Sequence, residues 1–207
     1  MKGVAVLSGG LDSTVSLAAA LRRLEVPLAL TFDYGQRAAR REREAAAWVA
    51  RRLRVPHRVI PIPWLARITR TALVDRSAAL PRHEMSERSA KAVWVPNRNG
   101  VFIEIAAAHA ESAGATRLIT GFNREEAATF PDNSKAYVSA VNRALSYSTA
   151  NGVRVVSYTI DLDKKGIVRL GRRLRAPLDR IWPCYEGGRA WCGSCESCLR
   201  SLRALHG

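Results

Sequence analysis

The chain has one glutamine, Gln36, two methionines, and only five lysines (Lys2, Lys91, Lys135, Lys164 and Lys165) among its 33 basic residues. Positive charge is therefore carried almost wholly by arginine, and against 18 acidic residues it leaves a formal net charge of +15. That surplus admits a nucleotide or nucleic-acid partner. The arginines are spread along the whole chain, often beside alanine on what read as solvated helix faces, so nucleic acid is not the expected partner. No run approaches the roughly 20 consecutive apolar residues that a membrane-spanning helix needs. Met1-Lys2-Gly3 leads straight into an apolar run without a cleavable leader pattern. These absences predict a cytoplasmic chain with no membrane partner. Cysteine is missing until Cys184, which excludes a disulfide framework spanning the fold; the four present, Cys184, Cys192, Cys195 and Cys198, fall in the last 24 residues. His57, His83, His109 and His206 lack any mutual spacing that would mark a metal site or a triad.

With 207 residues, 47% of them hydrophobic, the chain can bury one sizeable core but not two full-sized domains. Apolar runs alternate with helical periodicity: a strand over Gly3 to Leu7, a helix to about Leu24, a strand over Leu28 to Phe32, a helix over Gln36 to Arg54, and a strand over Arg58 to Ile62. The rhythm breaks over 63–98, a polar stretch carrying Pro63, Pro81 and Pro96. It is too long for an ordinary connection and is expected to be a mobile active-site flap or to be locally helical. A helix over Asn99 to Gly114, a strand over Arg117 to Thr120, a loop over Gly121 to Asn133, a helix over Lys135 to Thr149, a strand over Val153 to Tyr158 and a last helix over Lys164 to Leu174 follow. This order predicts an α/β fold with a doubly wound parallel sheet, Rossmann-like, binding ligands at the carboxyl ends of its strands. The expected organisation is one domain over 1–180, with 63–98 as its flap, and a cysteine-bearing segment over 181–207.

Ser8-Gly9-Gly10-Leu11-Asp12-Ser13 carries the strongest chemical signal. Two adjacent glycines let the backbone curl tightly, while Ser8, Ser13 and Thr14 bring hydroxyls to a helix N-terminus, a combination suited to phosphate oxygens. The chain contains neither the Walker pattern G-x-x-x-x-G-K-[ST] nor the dinucleotide pattern G-x-G-x-x-G. The absence of a loop lysine points away from β,γ-phosphate chemistry and toward a loop that grips a departing pyrophosphate. Asp12 reads either as a Mg²⁺ ligand or as a helix-terminal charge.

The loop resembles the pyrophosphatase loop (PP-loop) of the adenine-nucleotide α-hydrolase superfamily. Phe32-Asp33-Tyr34-Gly35-Gln36-Arg37, Val95-Pro96-Asn97-Arg98-Asn99, Gly121-Phe122-Asn123, Thr129-Phe130-Pro131-Asp132-Asn133 and the cysteine segment narrow the resemblance, over nearly the whole chain and in order, to the 7-cyano-7-deazaguanine synthase family. Two positions depart from its pattern: Ala38 stands where the family often has His, and Thr129 to Asn133 where it often has G-Y-P-D-C. The resemblance implies a carbon–nitrogen ligase of queuosine or archaeosine biosynthesis that uses ammonia and two ATP, with Mg²⁺, to turn 7-carboxy-7-deazaguanine into the nitrile, releasing AMP and pyrophosphate. It also implies a homodimer. ATP is then expected on Leu7, Ser8, Gly9, Gly10, Leu11, Asp12, Ser13, Thr14, Asp33 and Gly121, with Asp12 and Ser13 catalytic. A carboxylate suits the donors of a deazaguanine edge and a cation suits the acid, so Asp132 and Arg98 are expected at the substrate, with Lys135 and Arg37 as substitutes and Phe130, Tyr34 or Trp94 stacking. A tRNA thiolase of the same superfamily is the competing reading.

Four thiolates spaced Cys184-x7-Cys192-x2-Cys195-x2-Cys198 can close a tetrahedral zinc site. Two C-x-x-C steps also occur in iron–sulfur ligation. The resemblance favours one structural Zn²⁺ per chain, which leaves no cysteine for persulfide or glutaminase chemistry and makes free ammonia the nitrogen donor.

Overall fold

The computed structural model describes residues 1–84 and 86–206. The chain builds β1 (Lys2–Val6), α1 (Leu11–Ala20), β2 (Glu25–Asp33), α2 (Ala39–Arg52), β3 (His57–Pro61), α3 (Trp64–Arg67), α4 (Glu87–Ala92), α5 (Arg98–Ser112), β4 (Arg117–Thr120), α6 (Arg124–Ala127), a 3-10 turn over Pro131–Asn133, α7 (Lys135–Ser148), β5 (Arg154–Ser157), α8 (Lys164–Leu174) and α9 (Glu196–His206). The five strands pair in parallel in the order β3-β2-β1-β4-β5. The order reverses direction at β1, so the crevice between the carboxyl ends of β1 and β4 is the topological switch point where such sheets bind ligands. Among the described residues no helix is long and apolar enough to cross a membrane.

The sheet is apolar on both sides, as a parallel sheet covered by helices must be. Val4, Leu30, Leu118 and Val155 pack with Ile103, Ala106, Ala107 and Ala110 of α5 and Leu145 of α7. On the other side Ala5, Ala29 and Ile119 meet Leu17 and Ala20 of α1 and Ala46, Val49 and Ala50 of α2. A third cluster, with Leu11 and Val15 of α1 against Ile167 and Val168 of α8 and Ala204 of α9, fixes the end of the chain to its beginning.

Two local departures from the sequence expectation have physical causes. Pro27 lies inside β2 rather than before it; the pairing with β1 slips by one residue between Lys2 and Val4, a bulge that accommodates a residue with no N–H to donate. Within 63–98 two short stretches, Trp64–Arg67 and Glu87–Ala92, are helical, and Leu65, Leu73, Leu80, Val93 and Val95 are buried in the main core, more packing than a polar stretch suggests.

Candidate functional site

The Ser8–Ser13 loop joins β1 to α1 and is stitched by its own hydroxyls: Ser8 N–H donates to Ser13 Oγ (3.2 Å), Gly10 N–H to Ser8 Oγ (3.3 Å), and the two serine oxygens lie 3.0 Å apart. Gly9 has φ +80°, and a Cβ there would lie 2.8 Å from Glu42 O and Ala46 N, so α2 presses against the back of the loop. At Gly121 a Cβ would lie 2.6 Å from Ser13 N, which brings the end of β4 against the first turn of α1. Trp182 N–H donates to Gly9 O (2.8 Å), so the cysteine segment also rests on the loop.

The loop opens on a cavity of about 250 Å³. Leu7, Ser8, Gly10, Leu11, Asp12, Ser13 and Gly121, all expected at ATP, line it together with Arg98, Phe130 and Asp132, expected at the substrate, and with Tyr34 and Trp94. The rings of Trp94 and Phe130 stack 15° from parallel with centroids 6.2 Å apart, an aromatic pair on the cavity wall. Arg98 Nε is buried and has no partner among the described residues. Burial opposes the charge of Arg98, yet Tyr34, Asp132 and Tyr185 together keep its guanidinium above the ordinary value. Burial raises Asp132, and Arg98 works against that rise.

Other expected residues stand off the cavity lining. Gly9 lies behind the loop and Thr14 is fully buried with an unpartnered hydroxyl. Asp33 faces Arg43 at 2.9 Å, and Lys135 pairs with Asp161 on the surface. Arg37 donates to the carbonyls of Asp75 (2.7 Å) and Ala78 and lies 3.7 Å from Glu186, tying the 63–98 segment to the cysteine segment.

The largest addition to the expected set is Lys164, at the N-terminus of α8. Its side chain is 3% exposed and its Nζ donates to Asp12 Oδ2 (2.6 Å) and Glu126 Oε1 (2.5 Å), so a lysine absent from the loop is supplied from 152 residues away. Asp163 caps α8 through Gly166 N–H (2.7 Å), which fixes where Lys164 starts. Burial lifts Asp12 to about 6 although Lys164 opposes it. Burial would also raise Glu126, but Lys164, Arg200 and Arg98 outweigh it and hold that carboxylate below its usual range. Lys164, despite burial, is held above its ordinary value by the two carboxylates. Asp12 Oδ1 is buried without a partner, an acceptor available to a cation beside the loop.

Glu42, Glu126, Trp182, Tyr185, Ser197 and Ser201 also line the cavity and were not singled out by the sequence reading. A partial signal existed for Lys164: in a chain that uses arginine almost everywhere, a lysine opening the helix that follows the last strand stands out, although its neighbour Lys165 shares the feature and is exposed. Ser197 and Ser201 sit on α9, whose first turns carry the last of the cysteines.

Those cysteines form a second cluster. Cys184, Cys195 and Cys198 are buried, all four thiols are free, and their sulfurs lie within 4.8 Å of one another, with Cys192 and Cys198 at 3.9 Å. A tetrahedral zinc with sulfurs at about 2.3 Å needs sulfur–sulfur edges of about 3.8 Å. Backbone N–H groups of Glu186 and Cys192 point at Cys184 Sγ and that of Cys195 at Cys192 Sγ, each at 3.3 Å, as thiolate ligands require. The residues present fit a closed four-sulfur metal site.

The family model described as queuosine biosynthesis protein QueC matches residues 2–207. The chain belongs to the QueC family. The family's members are carbon–nitrogen ligases, and so is this chain. It is 55% identical to the 7-cyano-7-deazaguanine synthase of Pelotomaculum thermopropionicum, over 99% of this chain and 96% of that one, and 47% identical to that of Methanosarcina mazei, over 99% and 94%. Among solved structures it is similar to NMN synthetase from Francisella tularensis (TM-score 0.53, 19% identity, 94% of this chain and 69% of that one) and to the NH3-dependent NAD synthetase of Campylobacter jejuni (TM-score 0.50, 18% identity, 87% and 66%). At those identities the likeness is one of fold: the five-stranded parallel sheet with its loop after β1.

Proposed function

We propose that the chain converts 7-carboxy-7-deazaguanine and ammonia to 7-cyano-7-deazaguanine with two ATP, releasing AMP and pyrophosphate. The observation that carries the reading is the meeting, in one cavity, of a serine-lined loop with Arg98, whose Nε has no partner among the described residues, the Asp132 carboxylate and the Trp94/Phe130 pair. A carboxylate is a poor electrophile, so its oxygen must first take AMP from ATP. Arg98 holds that carboxylate, Asp132 accepts from the donors of the deazaguanine edge, and the two aromatic rings cover the flat base. Ser8, Ser13 and the N-terminus of α1 hold the pyrophosphate as it leaves, each preorganised donor worth roughly 3 kcal/mol by analogy with an oxyanion hole. Lys164, shared by Asp12 and Glu126, offsets their negative charge beside the departing pyrophosphate. Mg²⁺ fits beside the loop, where Asp12 Oδ1 lacks a partner, and when bound it neutralises phosphate charge. The adenylate reacts with ammonia to give the amide, and a second adenylation lets the amide oxygen leave as AMP.

Zn²⁺ in the four-cysteine cluster is structural in this reading, and the enzyme is a cytoplasmic homodimer. With all four sulfurs gathered in one cluster, no cysteine is left for the thiolase alternative. Purified protein with ATP, ammonium and 7-carboxy-7-deazaguanine, followed by mass spectrometry, should yield the nitrile together with AMP; ADP as the nucleotide product, or no change in the acid, refutes the reading.

A further inference from the structure

Among the described residues four carboxylates open on the cavity: Asp12, Glu42, Glu126 and Asp132. Three are engaged. Asp12 and Glu126 share Lys164, and Asp132 accepts from Asn133 Nδ2 (3.1 Å) with Arg98 nearby. Glu42, on the first turn of α2, forms no ion pair among the described residues, although Arg98 faces it. Its Oε2 accepts from Gln36 Nε2 (2.7 Å), and its Oε1 has no partner among the described residues. Gln36, the chain's single glutamine, is itself pinned: its amide also donates to Phe32 O (3.2 Å) and its oxygen accepts from Tyr34 N–H (3.0 Å). A buried amide with every group committed thus aims one carboxylate oxygen into the cavity, while the close packing of Gly9 on α2 fixes that carboxylate's helix relative to the phosphate loop.

Neutral water supplies ammonium, which has no lone pair with which to attack. We propose that Glu42 is the general base that deprotonates ammonium for attack on the adenylated acid, an inference that rests on the ligase reading above. Ammonium passes one proton to the Glu42 carboxylate; the ammonia so formed uses its lone pair to make the C–N bond to the acyl carbon. The bond from that carbon to the phosphate-bearing oxygen breaks, and AMP leaves with the electron pair. Glu42 releases its proton to water and takes the second proton that the nitrogen sheds, leaving the neutral amide.

The charged and titratable groups facing Glu42 are Arg98 from α5, and Asp33 and the Tyr34 phenol at the end of β2, with Gln36 as its hydrogen-bond partner. On its own helix Arg41 turns to Glu44 and Gly188 O, and Arg43 to Asp33. Burial raises Glu42 to about 7 against the pull of Gln36 and Arg98, which suits a base working near neutrality.

The test compares wild type, Glu42→Gln and Glu42→Asp with two nucleophiles, ammonium and hydroxylamine, the second being largely unprotonated at pH 8. With ammonium at pH 7, E42Q should make amide and nitrile on the order of 10²–10⁴-fold more slowly. Its rate should then follow free ammonia, rising about tenfold per pH unit, while the wild-type rate levels off above about 7. With hydroxylamine, E42Q should form the hydroxamate within about threefold of wild type. E42D keeps the carboxyl and should keep the levelling of the pH profile at a lower rate. Equal losses with both nucleophiles would assign Glu42 to ATP or to the fold and overturn the proposal, as would no loss with either, or an E42D profile that follows free ammonia. A wild-type protein inert toward the acid with both nucleophiles overturns the ligase reading and the proposal with it.

Discussion

Replacing Lys164 by Met leaves Asp12 and Glu126 facing each other with no cation between them. In the native chain Nζ lies 2.6 and 2.5 Å from the two carboxylates, and the lysine side chain is 3% exposed. Removing one member of a buried ion cluster costs about 3–5 kcal/mol, because the remaining charges stay desolvated. For a chain of this size that corresponds to a Tm lower by roughly 6–20 °C. The variant can escape by protonating one carboxylate, which becomes easier by 1.36 kcal/mol for each unit that pH falls, so moving from pH 8 to 5.5 should restore about 3 kcal/mol. The native cluster changes little over the same range. The raised Lys164 contributes stability below its ordinary value of 10.5 and loses it only as pH rises through its higher folded value. The lowered Glu126 contributes above its ordinary 4.5 and loses stability only as pH falls. The raised Asp12 changes its contribution mostly below about 6, so across pH 5.5–8 the native triad is nearly flat. Differential scanning fluorimetry or urea melts of both proteins at the two pH values measure this, with K164M/E126Q as a control that should recover stability at pH 8. An equal Tm loss at both pH values would refute the argument that two unpaired carboxylates are the cause.

Changing Cys195 to Ser should drop bound zinc from about one per chain to near zero by elemental analysis and expose the C-terminal segment to proteolysis, since structural metal binding contributes directly to folding; iron with acid-labile sulfide in the native protein would overturn the zinc assignment. Gly121→Ala puts a methyl group 2.6 Å from Ser13 N, a backbone atom that cannot swing aside. It should cost about 1–3 kcal/mol by overpacking and weaken ATP·Mg binding in calorimetric titration; unchanged affinity would show that the loop is not the nucleotide site.

The parts of this molecule legible in sequence are those governed by local rules. The strand over Arg117 to Thr120 and the helix over Lys164 to Leu174 appear at their expected bounds, because each couples a clean hydrophobic period to a sharp stop. The helix after the loop ends at Ala20, four residues short of the expected Leu24, since the chain must turn in time to pair Glu25 with Lys2. The same divide runs through the site. Ser8 to Ser13 is contiguous and was visible; Lys164, Glu126 and Glu42 come to the cavity from α8, α6 and α2, and their charges take meaning only from neighbours far away in sequence. Arg37 carried the chemistry of an anion binder, yet its guanidinium meets the carbonyls of Asp75 and Ala78 because the 63–98 segment folds back over it. The helix over Glu196 to His206 was hidden by its own cysteines, although Cys198, Ser201 and Ala204 give it a buried stripe three residues apart.

The cavity draws its walls from Val6 at one end of the chain to Ser201 at the other, and its acid–base cluster joins Asp12 to Lys164. A ribosome emitting this polypeptide releases the Ser8–Ser13 loop well before Trp182, Tyr185, Ser197 and Ser201, which help to close the chamber. The loop, with its serines and helix end, is therefore finished early but cannot form its chamber while the tail is still in the exit tunnel. Until α8 and α9 emerge, Leu11 and Val15 of α1 are apolar surface without the helices they pack against. Chaperone demand during translation should accordingly peak between emergence of α1 and release of the last helix.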